Sequence, residues 1–198
     1  MNLRNTVLLM TLAASVSSTY SQCGGTEQTP TPTPYPTPTF PPTVESNTDA
    51  IAAELATSVD GLLFMSESDF PFVVAEVEGA ATQPITAQNI KTAIASIYVN
   101  RPEQATLEER YVEVRTLDQF FAHLVTPQDW WEEYNYQQSV QYAELQRILT
   151  EEVQGAQYFR LGEHIDAYGY VSGSVDIYLV GASNTGDLIG VWTISIET

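Results

Sequence analysis

The sequence predicts one α+β domain with a mainly antiparallel sheet covered by helices. Segments with apolar residues at helical spacing mix with short β-rich runs, without the regular strand–helix repeat of a parallel sheet. From Gln157 onward, three β-rich runs follow one another with only turn residues between them, as antiparallel neighbours do. Of the 198 residues, 43% are hydrophobic, with 11 Tyr, 7 Phe and 3 Trp, so there is enough apolar side chain for a core.

Taken in order, Ser46 or Thr48 is suited to cap a first helix that carries Ile51, Leu55 and Val59 and stops at Gly61. Pro71 to Gly79 reads as a strand, with Phe72, Val74 and Val77 competing for one inner face. Thr86 is placed to cap a second helix bearing Ile90, Ala93, Ile94 and Ile97, and Asn100 to Glu108 reads as a loop. The alternating run Tyr111 to Arg115 predicts a strand, and Thr116 a cap for a short helix turning Leu117, Phe120, Phe121 and Leu124 toward the core. Tyr134 to Val153 is the longest helical pattern, with Tyr142, Leu145, Ile148, Leu149 and Val153 on one face and Gly155 at its end. Gln157 to Leu161, Ser174 to Val180 and Leu188 to Ile196 are the closing strands, the last two joined by Gly181 to Gly186.

Residues 1–22 read as a secretory signal: a weakly basic start, an apolar run from Thr6 to Val16, then small polar residues. The run is well short of the roughly 20 apolar residues that span a bilayer. Cleavage after Ser21 would release a chain beginning at Gln22. Alternatively Cys23, the single cysteine, becomes the lipidated first residue, although Gln22 departs from the usual small residue before such a cysteine. Residues 23–45 form a linker whose Pro/Thr run, Thr29 to Thr43, favours extended polyproline II and would hold the following domain on the order of 45 Å away. The folded domain is then 46–198, and the expected location is exported: periplasm or cell surface.

Charge narrows the function. With 25 acidic against 7 basic residues the formal net charge is −18, which repels phosphate backbones and disfavours direct nucleic-acid binding. One cysteine and two histidines, His123 and His164, leave few ways to assemble a metal centre or a Ser-His-Asp set, and no phosphate-binding loop, nucleophile elbow or His-Glu-x-x-His is present. No enzymatic activity, cofactor or metal is expected. Glu67 and Asp69 are paired carboxylates in a turn-like break, where a solvated acidic loop is the plain alternative. Glu163-His164-Ile-Asp166 offers three donor side chains but fits no strong metal motif. Trp130 and Trp131 lie side by side in an acidic stretch with Glu132 and Glu133, and exposed Trp is enriched among binding hot spots.

Four blocks in this order, Asp60-Gly-Leu-Leu-Phe-Met-Ser-Glu-Ser-Asp-Phe-Pro-Phe72, Thr126-Pro-Gln-Asp-Trp130, Tyr158-Phe-Arg-Leu-Gly162 and Ile196-Glu-Thr198, resemble the nuclease A inhibitor family. The resemblance covers roughly Ile51 to Thr198 and weakens between Gly79 and Arg110, where Thr86 to Tyr98 reads as an insert. It implies an α/β/α sandwich similar to the pathogenesis-related-1 fold. It also implies a protein that blocks a sugar-nonspecific, Mg-dependent ββα-metal endonuclease; the expected state is a monomer or a 1:1 complex. An acidic residue of the Ser-Glu-Ser loop, the Trp of the second block and the C-terminal Thr would enter the nuclease site; by position these are Glu67, Trp130 and Thr198. Asp69, Trp131 and Glu132 would stand at the rim. Thr198 would reach the partner's Mg²⁺ with hard oxygen donors, the inhibitor needing no metal of its own. The alternative is an exported acidic binding or adhesion module with the same fold and no nuclease target; a hydrolase built on Glu67, Asp69 and His164 is a distant third.

Overall fold

The computed structural model describes residues 45–101, 105–128 and 132–197. The signal and linker readings, Cys23 among them, lie outside these residues. The domain is α+β, and every strand pairing among the described residues is antiparallel.

Helix α1 (Thr48–Ser58) begins after Asn47 and buries Ile51 and Leu55. A two-stranded hairpin, β1 (Leu63–Met65) and β2 (Asp69–Pro71), follows and leads into β3 (Val73–Val77). Sequence patterning predicts one strand from Pro71 onward, but Phe72 breaks it: its side chain turns into the core between β2 and β3. Helix α2 (Ile90–Ile94) is shorter than its apolar spacing suggests. Thr86 does not cap it as expected. Instead the Asn89 side chain accepts the Thr86 N–H at 2.6 Å and donates to Pro84 O at 3.0 Å, which holds Thr86 to Asn89 as a turn.

Strand β4 (Tyr111–Arg115) runs into helix α3 (Leu117–Phe121), which opens with the expected Thr116 cap, a reciprocal box with Gln119. Helix α4 (Glu133–Glu151) is the longest described. α4 ends at Glu151, ahead of Gly155, which at φ 61° is the second residue of β5 (Gln154–Gly162) and lies in its irregular start. Then come the short β6 (His164–Ile165), β7 (Val171–Ala182) and β8 (Leu188–Glu197), each of the two long strands outrunning its predicted bounds.

The main sheet has the order β3-β8-β7-β5-β4, with β6 pairing β7. Both faces are covered. On one face Val175, Ile177, Leu179, Tyr158 and Val191 meet α1, α3 and α4 in a core that includes Leu55, Phe121, Leu145 and Leu149. On the other, Phe159, Leu161, Tyr178, Val180 and Leu188 pack under Ile85, Ile90, Ala93 and Ile94. There is therefore no single inner face for β3: Val74 packs with the first cluster, Ala75 and Val77 with the second. The segment Thr86 to Tyr98 closes the second core. Dual coverage also explains why β7 is buried without a break from Val175 to Gly181.

The chain enters the domain on the β7–β8 turn. Asn184 Nδ2 donates to Glu45 O at 2.9 Å, and Asn47 N–H donates to Asn184 Oδ1 at 3.1 Å. Asp187 ties three elements together, accepting from Gly79 N–H at 2.8 Å, Thr48 Oγ1 at 2.7 Å and Thr185 Oγ1 at 2.8 Å. These hydrogen bonds hold its carboxyl down at about 2.

Candidate functional site

The last residues of β8 lie at the end of the sheet opposite this entry point, because β8 starts at the β7–β8 turn and runs away from it. Two features of the first and last sequence blocks meet there. β3 pairs β8 only through Trp192, so among the described residues the outer edge of β8 beyond that residue has no ladder partner on that side. The β1–β2 hairpin takes the place. Thr193 Oγ1 donates to Pro71 O at 3.0 Å, and Ile196 N–H donates to Ser66 Oγ at 3.2 Å. Ser66 in turn donates to Ser68 O at 2.8 Å, which folds the Ser66 to Ser68 tip around Glu67. Glu67 and Asp69 are both exposed, Asp69 as the first residue of β2.

The hairpin is stiffened from beneath. Phe64 stacks on Phe120 with ring centroids 5.6 Å apart, and Phe72 meets Phe120 and Tyr142 edge to face. The Tyr142 hydroxyl donates to Leu63 O at 2.9 Å, and burial drives its pKa far above the usual phenol value. A cavity of about 310 Å³ beside Met65 is lined by His123, Leu124, Asn135, Gln138 and Tyr142. The residues flanking the second sequence block therefore converge on the same hairpin. Trp130 and Trp131 lie outside the described residues; Glu132 and Glu133, just after them, are exposed.

Glu197, the last described residue, is held at both carboxylate oxygens. Ser195 Oγ donates to Oε1 at 3.0 Å, and Arg160 Nη2 pairs with Oε2. Arg160 also reaches Glu113 Oε2 at 2.8 Å and Val171 O at 3.1 Å. Across the sheet, Asp176 pairs with Arg101 at 2.8 Å and Arg110 at 3.3 Å, while Arg110 donates to Ser174 O at 2.5 Å and Tyr98 OH at 3.0 Å. Burial pushes the Asp176 carboxyl upward against the pull of these two arginines. Ser174 and Asp176 pair with Ile196 and Ile194 in register, so charged clusters on both faces flank the end of β8. Thr198 lies outside the described residues.

The histidines do not join this end as a reactive set. His123 follows α3, exposed, and His164 sits on β6. Glu163, His164 and Asp166 do not converge: Glu163 faces Arg110 at 3.9 Å, while Asp166 Oδ1 accepts the N–H groups of Tyr168 and Tyr170, each at 2.8 Å. No group of three or more His, Cys, Asp or Glu among the described residues is arranged to hold a metal ion. No helix among them is long and apolar enough to cross a membrane.

Sequence reasoning missed Ser66, Glu113, Arg160 and the Asp176 cluster. The available signal was Arg160 itself, a cation between Phe159 and Leu161 in a chain with 7 basic residues. Among the described residues the cations are consumed internally: Arg101, Arg110, Arg115, Arg147 and Arg160 all form ion pairs, and Lys91 donates to Glu108 O at 2.7 Å. The acidic excess is thus left for the surface.

An acidic α+β domain with an acidic hairpin braced against its C-terminal strand is the class this geometry defines. A family model described as nuclease A inhibitor-like protein matches residues 49–198, and the chain belongs to that family. No curated protein matches the chain at a significant level.

Proposed function

We propose that this domain is a protein inhibitor that binds and occludes the active site of a basic, Mg-dependent, sugar-nonspecific ββα-metal endonuclease. The observation that carries the reading, alongside family membership, is the bond from Ile196 N–H to Ser66 Oγ, which brings the Glu67 hairpin to the C-terminal end of β8. The Glu67 hairpin and the last described residues of β8 are thus neighbours, which supports this reading. In this mechanism Glu67 offers a carboxylate where a substrate phosphate would lie and pairs with nuclease cations. Trp130 is a rigid anchor, with Asp69, Trp131 and Glu132 at the rim. Thr198 presents its hydroxyl and terminal carboxylate to the nuclease-bound Mg²⁺, displacing water.

The net charge of −18 supports the same reading, since a phosphate-binding site is basic and opposite fields speed encounter. Raised ionic strength should therefore slow association more than dissociation. The test is titration of the chain, with a free C-terminus, into a ββα-metal nuclease from the same genome while DNA cleavage is followed. Stoichiometric loss of cleavage, relieved by removing Thr198, is the expected result. Cleavage unaffected by a large excess, across several such nucleases, overturns the proposal and favours an acidic binding module without a nuclease target.

A further inference from the structure

We infer that the β6–β7 hairpin is a second contact for the basic protein that meets the Glu67 site, with Tyr168 as its anchor and Tyr170 and Tyr111 beside it. The identity of that protein as a nuclease rests on the inhibitor reading; the chemistry of the surface does not.

Tyr168 is 86% exposed, Tyr170 53% and Tyr111 51%, and Ile165 is exposed as well. Large side chains left in water at one place mark an interaction surface, and Tyr is enriched among binding hot spots. The turn that carries the first two is tightly built. Asp166 Oδ1 accepts the N–H groups of Tyr168 and Tyr170, Asp166 N–H donates to Tyr170 O at 2.8 Å, and Gly169, at φ 86°, donates to Asp166 O at 3.1 Å. Tyr168 is thus presented on a fixed backbone, and little ordering of the main chain is left for binding to impose.

The hairpin is also seated firmly on the sheet. A Cβ at Gly162 would collide with Val171 Cγ1 and stand 2.8 Å from Ser172 O, so glycine is what lets the hairpin lie this close to β5. Tyr111 pairs with Gly162 in register and therefore stands on the same face. Further along that face of β4, Arg115 lies 5.3 Å from the centre of the Tyr170 ring.

Place and charge together name the partner. Arg160 donates to Val171 O at 3.1 Å and pairs with Glu197, so the base of the hairpin shares a side chain with the end of β8, which Ser66 ties to the Glu67 hairpin. The two surfaces are continuous through these bonds. Arg115 and Arg160 both pair with Glu113, Arg110 faces Glu163, and Asp166 is exposed in the turn itself. The hairpin therefore offers tyrosine rings among carboxylates, with the nearby arginines already ion-paired. Such a surface fits a protruding Arg or Lys of a basic protein, which stacks on a ring and meets an acid, and it repels a phosphate backbone.

The experiment compares the unmodified chain with Tyr168→Ala and Tyr168→Phe in the nuclease titration and in thermal melting. Tyr168→Ala should weaken inhibition about 10-fold, with an unchanged melting temperature, since the ring is exposed and Ala keeps the backbone bond to Asp166. Tyr168→Phe, which keeps the ring, should weaken it by less than about 3-fold. Undiminished inhibition by Tyr168→Ala overturns the inference and leaves the Glu67 site standing. If the unmodified chain inhibits no nuclease, the functional reading fails separately, and the hairpin is judged with a fluorescent hexa-arginine peptide at low salt. Affinity that falls about 3-fold in Tyr168→Ala and is kept in Tyr168→Phe upholds the inference; equal affinity in all three overturns it. Binding of cellohexaose that is lost in Tyr168→Ala would assign the rings to carbohydrate and also overturn it.

Discussion

Replacing Asp187 by Ala removes the acceptor at which the start of α1, the exit of β3 and the β7–β8 turn are joined. The Gly79 N–H and the Thr48 hydroxyl each lose a charge-assisted bond between elements, and Thr185 loses one within the turn. At about 1 to 1.5 kcal/mol for each inter-element bond at a partly solvated site, and less for the local one, the sum is about 3 kcal/mol. For a domain of this size that is a fall of roughly 6 to 12 °C in Tm. The pH dependence is a sharper check. Folding lowers the Asp187 pKa from 3.8 to about 2, so its stabilisation is fully present above the unfolded value and is lost as pH falls through the folded one. Thermal melting of both proteins by circular dichroism should give a constant Tm gap from pH 8 to 5 that narrows between pH 4 and 2. Taking the difference cancels the other carboxylates common to both chains. A gap below 2 °C at neutral pH would refute the worth assigned to this junction, and a gap that does not change with pH would refute its electrostatic origin.

Phe120→Ala removes the ring at the centre of contacts with Phe64, Phe72, Phe121, Tyr142 and Tyr158, and should cost about 3 to 5 kcal/mol by urea unfolding. Ile94→Ala should cost about 2 to 5 kcal/mol in the same measurement, because Ile94 is fully buried under the second face; a loss below 1 kcal/mol would make the Thr86 to Tyr98 segment a surface addition. Gly190→Ala should destabilise by about 1 to 3 kcal/mol or prevent folding, since a Cβ there would stand 2.8 Å from the Val180 Cα. Glu67→Ala and Trp130→Ala should each weaken nuclease binding by roughly 1 to 4 kcal/mol in calorimetric titration, with little change in Tm for Glu67→Ala because that side chain is exposed.

The elements that could be read from the sequence are those whose pattern is local. α4 carries its apolar face at helical spacing over 19 residues, and Thr116 with Gln119 spells out a capping box. The three closing strands are legible because turns punctuate them, but their pattern stops short of Gly162, which pairs with Tyr111, and of Val171, which pairs with Ile165. β1 and β6 were not visible. Each has three residues or fewer and exists because another strand lies beside it. The same limit applies to the site. Glu67 was legible as an exposed acid in a break, but the bond from Ser66 to Ile196 joins residues 130 positions apart, and nothing in either segment announces the other. Arg160 was conspicuous as a cation among apolar residues, yet its partners sit on three other parts of the sheet. Resemblance to a family supplied the terminal residue as a candidate; packing supplies the means by which its neighbour is held.

The entry of the chain at one end of the sheet and its exit at the other has a mechanical consequence. β8 runs ten residues between these ends, about 30 Å. A domain held near residue 45 and gripped at its tail would be loaded along its strands. In that direction the ten register pairs joining β7 to β8 resist in shear and must give way together. Force applied between residue 45 and Asn184 would meet only the bonds of the turn, which open one after another. The fold therefore has a strong axis and a weak one, and the strong axis runs along β8 from the residue 45 end to the Glu197 end.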